Sequence, residues 1–193
     1  MCGRYLFYDS RNEKIKELIR AAEKSLPAEQ FSSISLFEVF PSQNIFSGIY
    51  DDAEKKYKTV VMKWGLTGIQ NRSIINCRSE SFTTSRFFKG CRPCAIPACG
   101  YYEWSRNPSC KYYFTTEKQP LYLAGCWRIE KIDNQTLQMV CAILTEPAGM
   151  PQSSIHSRQP IIFDSEYAHE WCATRDPDSL LHFSMKNRIM TKA

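Results

Sequence analysis

Short apolar runs separated by turn-forming residues constrain this chain most strongly, because they recur along most of its length. The runs are rich in β-branched and aromatic residues, which is typical of β-strands. The predicted strands cover residues 45–50, 57–66, 74–79, 100–104, 111–114, 121–127, 138–145 and 160–163. We therefore expect an α+β fold, a single domain over residues 1–193, with a mainly antiparallel, barrel-like β core and a few flanking helices.

Three segments show helical rather than strand periodicity. Ser10 and Glu13 have the spacing of a capping box, and apolar residues follow at helical spacing over residues 15–22. We expect this helix to end near Ser25, before a proline. The other two predicted helices cover residues 164–173 and 178–182.

The composition excludes several classes of protein. With 43% hydrophobic residues the chain is too apolar to be disordered, yet it has no apolar run long enough to cross a membrane. Nine cysteines at scattered positions do not resemble a disulfide framework. Because no secretory signal precedes them, we expect an intracellular, reducing compartment, such as the bacterial cytoplasm or a eukaryotic nucleus. The net charge of +5 permits a polyanionic partner without requiring one.

Cys2 is the residue with the most distinctive chemistry. Removal of Met1 would leave a cysteine with a free α-amine. The amine and the thiol have pKa values near ~8 and ~8.5, so both are partly reactive at neutral pH. The amine condenses with an aldehyde to an imine, and the adjacent thiol can then close a five-membered thiazolidine. Its place at position 2 alone favours a residue without catalytic function. The other motifs of the chain must decide between this interpretation and a nucleophilic Cys2.

A group of polar residues follows an apolar pair at positions 74–75. Asn76, Arg78 and Glu80 have the spacing that places side chains on one face of a strand. Such a face either lines a cleft or forms an ordinary solvated strand surface, and the spacing alone favours the second interpretation.

Glu103 lies within an aromatic stretch. Strand alternation separates Tyr102 and Trp104, which we expect to face the core, from Tyr101 and Glu103 on the other face. A carboxyl group beside aromatic surface is poorly solvated, which raises its pKa and suits it to general acid–base catalysis near neutral pH. The alternative is a surface carboxylate at the end of a strand.

His156 has the most polar surroundings of the three histidines. With Arg158 two residues later, it is a candidate for contact with an anionic substrate. Arginines near the other motifs are further candidates, because the guanidinium fork matches phosphate geometry. The arginine candidates are Arg4, Arg78, Arg86, Arg92 and Arg158.

Cys91 and Cys94 form a single Cys-x-x-Cys motif. A structural zinc site needs four ligands, commonly from two such pairs, and the sequence contains no second pair. The motif leads into Pro97 rather than into a helix, unlike a thioredoxin-like site. We therefore expect reduced, buried thiols, with no metal and no cofactor.

The motifs resemble a known family when they are taken together and in order. They are residues 1–5 (Met-Cys-Gly-Arg-Tyr), 40–43 (Phe-Pro-Ser-Gln), 62–66 (Met-Lys-Trp-Gly-Leu), 76–80 (Asn-Cys-Arg-Ser-Glu), 94–104 (Cys-Ala-Ile-Pro-Ala-Cys-Gly-Tyr-Tyr-Glu-Trp), 124–127 (Ala-Gly-Cys-Trp), 145–148 (Thr-Glu-Pro-Ala) and 155–160 (Ile-His-Ser-Arg-Gln-Pro). This series resembles the SRAP (SOS response-associated peptidase) family. Its members are also called abasic-site-processing or hydroxymethylcytosine-binding proteins.

The resemblance implies a function and a set of site residues. Family members recognise abasic sites in single-stranded DNA and attach to them through an N-terminal cysteine. By resemblance, Cys2 would form a thiazolidine after removal of Met1, and Glu103 would open the sugar ring and shuttle a proton. His156 would position the sugar, and Asn76 would hold the amine or a sugar oxygen. The residues expected to bind DNA are Arg4, Arg78, Arg86 and Arg158. We expect a monomer that binds abasic single-stranded DNA and no membrane; no protein partner is predicted.

Covalent capture would shield the abasic site during the DNA damage response. The sequence also leaves other functions open. A thiol peptidase or amidase would use Cys2 as nucleophile and His156 as base, and would include release of Met1 by the protein itself. An imine also permits strand cleavage, an abasic-site lyase activity. A non-covalent reader of modified DNA bases would need only a basic, aromatic cleft.

Overall fold

The backbone consists mainly of β-strands, as the pattern of apolar runs predicts. A computed structural model describes residues 2–106, 109–132, 136–174 and 176–193. In chain order the strands of these residues are β1 (Tyr5–Leu6), β2 (Glu38–Val39), β3 (Asn44–Asp51), β4 (Lys56–Trp64), β5 (Leu66–Thr67), β6 (Ser73–Ile74), β7 (Asn76–Arg78), β8 (Arg92–Ala98), β9 (Gly100–Trp104), β10 (Lys111–Thr115), β11 (Leu121–Lys131), β12 (Leu137–Pro147), β13 (Arg158–Pro160), β14 (Ile162–Phe163) and β15 (Ile189–Lys192). Every predicted strand overlaps at least one of these.

Short helices connect the strands. They are α1 (Glu13–Ser25), α2 (Ala28–Ser32), α3 (Ser79–Phe82), α4 (Ser165–Ala173) and α5 (Asp178–Leu181), with 3₁₀ turns at Ile69–Asn71, Arg86–Phe88 and Gln152–Ser154. All three predicted helices form, but the N-cap of α1 is Asn12 rather than Ser10. The Asn12 side-chain oxygen accepts a hydrogen bond from the Ile15 N–H at 3.1 Å. No described helix is long and apolar enough to cross a membrane.

Five strands close into a barrel. β12 pairs with β4, β4 with β3, β3 with β8, β8 with β11, and β11 with β12 again, so the ring has no open edge. These pairs are antiparallel except β12 with β4, where Val140 lies beside Lys63 and Cys141 beside Trp64. Its core includes the buried side chains of Ile45, Met62, Ile96, Leu123 and Ile143. The predicted α+β class and barrel-like core are confirmed.

The sequence does not predict strand β8, because Pro93 and Pro97 interrupt its apolar run. Proline lacks an N–H group and is therefore rare in central strands. β8 pairs with β11 along its whole length, whereas its pairing with β3 is confined to Gly48 opposite Ala95. Because there is little ladder on the β3 side, the missing proline N–H groups remove no hydrogen bond there.

A second sheet places the start of the chain against the barrel. Its order is β15-β10-β9-β1-β2, and all of its pairs are antiparallel. Tyr5 lies opposite Tyr101, and the Tyr102 N–H donates to the Arg4 carbonyl oxygen at 2.9 Å. The rings of Tyr5 and Trp64 pack with their centroids 5.5 Å apart. The residues around β1 are thereby fixed between β9 and the barrel.

Helix α4 covers one side of the barrel. Asp164 caps it by accepting a hydrogen bond from the Tyr167 N–H at 3.2 Å, as the predicted start requires. Trp171 is fully buried, and its indole N–H donates to the carbonyl oxygens of Cys94 and Gly125 at 3.0 and 3.1 Å. One side chain therefore joins the helix to both β8 and β11.

Candidate active site

Cys2 lies just before β1 and is completely buried. Its sulfur is 4.0 Å from the Arg4 carbonyl oxygen. Burial raises the pKa of the Cys2 thiol far above its ordinary value, and the nearby charge of Glu103 raises it further. The thiol is therefore protonated at neutral pH. Met1, whose removal would expose the Cys2 amine, lies outside the described residues.

Asn76 approaches Cys2 from the barrel. It begins β7, which runs beside β12 with Asn76 next to Ile143. The Asn76 side-chain amide donates to the Cys2 carbonyl oxygen at 2.9 Å. The side-chain oxygen of Asn76 is buried and has no hydrogen-bond partner among the described residues. Because a buried acceptor without a donor is unfavourable, this oxygen is suited to receive a donor from a ligand.

Glu103 is almost fully buried on the inner face of β9. Its exposed fraction is 4%, and Tyr101 on the same face is fully buried. The prediction that Tyr102 and Trp104 face the core is therefore wrong, since both are only half-buried. Burial raises the pKa of the Glu103 carboxyl above its ordinary value. The site thus places beside Cys2 a carboxyl group that keeps its proton to higher pH than usual.

Two cations contact the aromatic rings of Tyr102 and Trp104 on the outer face of β9, and these contacts stabilise the rings there without full burial. The Arg4 guanidinium lies 4.8 Å from the Trp104 ring centroid, and the Lys111 ammonium lies 3.8 Å from that of Tyr102. Both cations also pair with the Glu38 carboxylate, at 3.2 and 2.8 Å. The outer face of β9 is therefore basic and aromatic, and Arg4 is held on it.

His156 is half-buried in the loop between β12 and β13. Its Nδ1 accepts a hydrogen bond from the Arg158 N–H at 3.0 Å, so the neutral ring carries its proton on Nε2. Burial lowers the pKa of His156 below its ordinary value. The imidazole is therefore neutral at physiological pH, with Nε2–H as a hydrogen-bond donor.

Two residues beyond those predicted connect His156 to β9. The buried Gln152 side chain accepts a hydrogen bond from the Tyr101 hydroxyl at 2.6 Å. The backbone oxygen of Gln152 accepts from the His156 N–H at 2.9 Å. Alternation with Glu103 could have indicated Tyr101, whereas nothing in the sequence distinguishes Gln152 from an ordinary loop residue.

Arg158 is bound within the protein rather than extended into solvent. It donates to both carboxylate oxygens of Glu80, at 2.6 and 2.8 Å, and to the Thr145 carbonyl oxygen. Glu80 lies in α3, so the prediction that it shares a strand face with Asn76 and Arg78 is wrong. The strand ends because Arg78 is the last residue of β7 that pairs with β12, and the chain then turns into a helix.

The other arginine candidates differ in their surroundings. Arg78 at the end of β7 is exposed, and so is Arg86 in its 3₁₀ turn. Arg92 instead forms an ion pair with Asp52 and donates to the Tyr50 carbonyl oxygen at 3.0 Å. Arg78 and Arg86 therefore present guanidinium groups that are accessible to an anion from solvent.

The cysteines are free thiols. Cys94 and Cys99 are buried in the core, whereas Cys91 is half-buried. In the part of the chain that the structure describes, no group of three or more His, Cys, Asp or Glu side chains is arranged to hold a metal ion. Cys94 of the Cys-x-x-Cys motif thus contributes to the packing of the core.

Comparison with known proteins supports the resemblance of the motifs. The model of the SRAP family, described as SOS response associated peptidase, matches residues 1–191. The chain belongs to the SRAP family. The resemblance inferred from the ordered motifs is confirmed, and it extends over nearly the whole of this SRAP protein.

Curated relatives match most of this SRAP protein at low identity. Abasic site processing protein YobE of Bacillus subtilis (strain 168) is 27% identical over 195 residues, covering 93% of this chain and 86% of the relative. Abasic site processing protein YedK of Escherichia coli (strain K12) is 25% identical over 181 residues, covering 89% of this chain and 79% of the relative.

Solved structures share the fold. A protein from Bacteroides thetaiotaomicron superimposes with a TM-score of 0.76 at 19% identity, covering 99% of this chain and 91% of that chain. A protein from Bordetella bronchiseptica superimposes with a TM-score of 0.73 at 16% identity, covering 100% of this chain and 99% of that chain. At these identities the likeness concerns the fold alone.

Proposed function

We propose that this SRAP protein captures abasic sites in single-stranded DNA by forming a thiazolidine through Cys2 once Met1 has been removed. The observation that carries the proposal is the convergence of two distant polar residues on Cys2. Asn76 hydrogen-bonds the Cys2 carbonyl at 2.9 Å, and Glu103 lies close enough to shift the pKa of the thiol. The names of the curated relatives, abasic site processing proteins, support the same substrate.

The reaction begins with opening of the abasic sugar. Its closed form is a hemiacetal. Opening breaks the bond between the anomeric carbon and the ring oxygen, which takes up a proton, while the anomeric hydroxyl gives its own proton to solvent. Glu103 can supply the first proton, because burial raises its pKa and its carboxyl keeps a proton to higher pH than usual. The product is a free aldehyde.

The two nucleophiles of Cys2 then act in turn. The α-amine adds to the aldehyde carbon and water leaves, which gives an imine. The thiol adds to the imine carbon while a proton reaches the nitrogen, which closes the thiazolidine. His156 holds a sugar oxygen through Nε2–H, and the Asn76 side-chain oxygen accepts from the amine or from a sugar hydroxyl.

Closure of the ring protects the DNA strand. An imine alone permits cleavage by β-elimination, and the thiol competes with elimination by trapping the imine carbon. The lesion is thereby shielded during the DNA damage response. Arg78 and Arg86 are exposed and can bind flanking phosphates directly, whereas Arg4 and Arg158 would share their guanidinium groups between phosphate and their partners Glu38 and Glu80.

A general thiol peptidase fits the site less well. Such an enzyme needs a thiolate as nucleophile. Burial instead keeps the Cys2 thiol protonated. Attack by the amine needs no thiolate, so covalent capture of an aldehyde is favoured over cleavage of peptides.

The proposal is tested by incubating protein that lacks Met1 with abasic single-stranded DNA. A denaturing gel should show a heat-stable adduct, and intact mass should equal protein plus DNA minus one water. Cys2→Ser is the matched control because it retains the amine and removes only the thiol. It should form an imine that borohydride traps, but no heat-stable adduct.

Other outcomes distinguish the alternatives. One extra residue before Cys2 should abolish the adduct, because it blocks the amine. Equal adduct formation by Cys2→Ala would refute the mechanism. Tight binding without covalent linkage would indicate a reader of modified bases, and cleavage of unrelated peptides that depends on Cys2 would indicate a peptidase.

A further inference from the structure

A fully buried glutamine holds the loop that carries His156. Gln152 is 0% exposed, and its side-chain amide donates to the Arg158 carbonyl oxygen at 3.2 Å. Its backbone oxygen accepts from the N–H groups of Ile155 and His156, at 2.8 and 2.9 Å. Gln152 therefore joins both ends of the loop 152–158 and fixes His156 between them.

Tyr101 fixes Gln152 in turn. The Tyr101 hydroxyl donates to the Gln152 side-chain oxygen at 2.6 Å. Tyr101 lies two residues before Glu103 on the same buried face of β9, and its ring stacks on Phe114 with centroids 5.2 Å apart. This hydrogen bond therefore connects the strand of Glu103 to the loop of His156.

We propose that Tyr101 and Gln152 are positioning residues that form a clamp and set the placement of the His156 imidazole relative to the Glu103 carboxyl. The inference rests on the proposed function, in which both groups act on one sugar. Because the Gln152 side chain accepts from Tyr101 and donates to Arg158, its amide cannot flip without breaking both bonds. A displacement of about 1 Å at a catalytic group costs up to about 100-fold in rate, so the clamp contributes to catalysis as well as to stability.

The clamp is tested with one variant of each of its two residues. Tyr101→Phe deletes only the hydroxyl, and Gln152→Leu removes both polar groups at similar volume. We expect each variant to slow single-turnover adduct formation with abasic single-stranded DNA by about tenfold. Because the two residues act as one unit, the double variant should be no slower than the slower single variant. Tyr113→Phe deletes a hydroxyl that donates to the Cys99 carbonyl at 2.8 Å, and this matched control should react at the wild-type rate.

A second measurement reports on His156 without DNA. Nitrogen-15 NMR, assigned with the His156→Asn variant, shows which ring nitrogen carries the proton. In the wild type Nε2 should be protonated, since Nδ1 accepts from the Arg158 N–H. In Tyr101→Phe the loop relaxes, and a mixture of the two tautomers is expected. Tyr113→Phe should leave the spectrum unchanged.

The two measurements separate this inference from the proposed function. If the wild type forms no adduct, the proposed function fails, and the His156 spectra still decide whether the clamp exists. Wild-type adduct rates in both Tyr101→Phe and Gln152→Leu would overturn the clamp. An unchanged His156 spectrum in these variants, or an equal slowing by Tyr113→Phe, would also overturn it.

Discussion

The ion pair between Glu80 and Arg158 allows a quantitative test of how this protein holds an arginine near its site. Arg158 donates to both Glu80 carboxylate oxygens, and its side chain is only 14% exposed. Glu80→Gln removes the negative charge but retains one acceptor oxygen on a side chain of the same length. The guanidinium then keeps its hydrogen bond to the Thr145 carbonyl oxygen but loses its counter-charge.

The expected change in stability follows from the pKa of Glu80. Hydrogen bonds from Arg158 lower that pKa from 4.5 to about 2, which corresponds to roughly 3 kcal/mol for a pair shielded from solvent. The Glu80 side chain is 54% exposed, so solvent screens the pair. We expect Glu80→Gln to lower the free energy of unfolding at neutral pH by about 1 kcal/mol, measured by urea denaturation.

The sign of the pH dependence follows from the lowered pKa. A carboxyl whose pKa is lower in the folded state stabilises the fold above its unfolded value of 4.5, and the stabilisation is lost as the pH falls through about 2. The difference between wild type and Glu80→Gln should therefore be constant around neutral pH and shrink as the pH falls below 4.5. A difference that persists undiminished in acid would show that the ion pair is not its source.

The same substitution tests Arg158 as a phosphate ligand. In the wild type the Glu80 carboxylate competes with phosphate for the Arg158 guanidinium. Without that carboxylate the phosphate contact should strengthen, so affinity for undamaged single-stranded DNA should rise and its salt dependence should steepen, by up to about 0.7 in log–log slope. Fluorescence anisotropy measures both quantities. Glu13→Gln, which breaks an exposed pair with Lys16, makes the same change in net charge and is the control. An unaltered salt slope in Glu80→Gln would refute the role of Arg158 in binding DNA.

Three further predictions concern the site, the thiols and the core. Glu103→Gln should slow adduct formation by at least about 100-fold, because it removes the acid that is proposed to open the sugar. Because its pKa is raised in the folded state, Glu103 destabilises the fold when it is ionised at higher pH. The thermal midpoint of Glu103→Gln in mildly alkaline buffer should therefore equal or exceed that of the wild type. A clearly lower thermal midpoint of the variant would contradict this prediction. In the native protein, iodoacetamide should label the half-buried Cys91 and Cys110 but not the buried Cys2. Peptide mass spectrometry measures the labelling of each cysteine, and labelling of Cys2 with Cys91 and Cys110 unlabelled would contradict this prediction. Leu123→Ala, at a fully buried barrel position, should lower the free energy of unfolding in urea by about 2–5 kcal/mol; a loss below about 1 kcal/mol would show that the core is not close-packed there.

Strand periodicity predicts most of this fold, because alternation of apolar residues reports burial directly. It fails at β8, since Pro93 and Pro97 normally exclude a central strand. The two prolines are compatible with β8 because of its tertiary pairing. β11 pairs with β8 along its whole length, whereas β3 contributes a single residue pair. Closure of the barrel is equally non-local, because the parallel pairing of Val140 beside Lys63 joins strands far apart in the chain.

The identities of the site residues are easier to predict than their orientation. Asn76 is recognisable as a polar residue after an apolar pair, and it contacts Cys2. The face of Glu103 is not recognisable, because hydrophobicity alone favours Trp104 inside. The decisive contact is the Arg4 guanidinium over the Trp104 ring, and no local pattern brings those two residues together.

The burial of Cys2 determines the order of the proposed steps. Because the thiol stays protonated, the amine is the first nucleophile to reach the aldehyde. Glu103 is ionised once it has given its proton to the sugar, so it can take the thiol proton when the sulfur adds to the imine. Its raised pKa favours that return of the proton, and one carboxyl thus serves as acid in ring opening and as base in ring closure. Retention of Met1 would therefore prevent the first covalent bond rather than slow the last one.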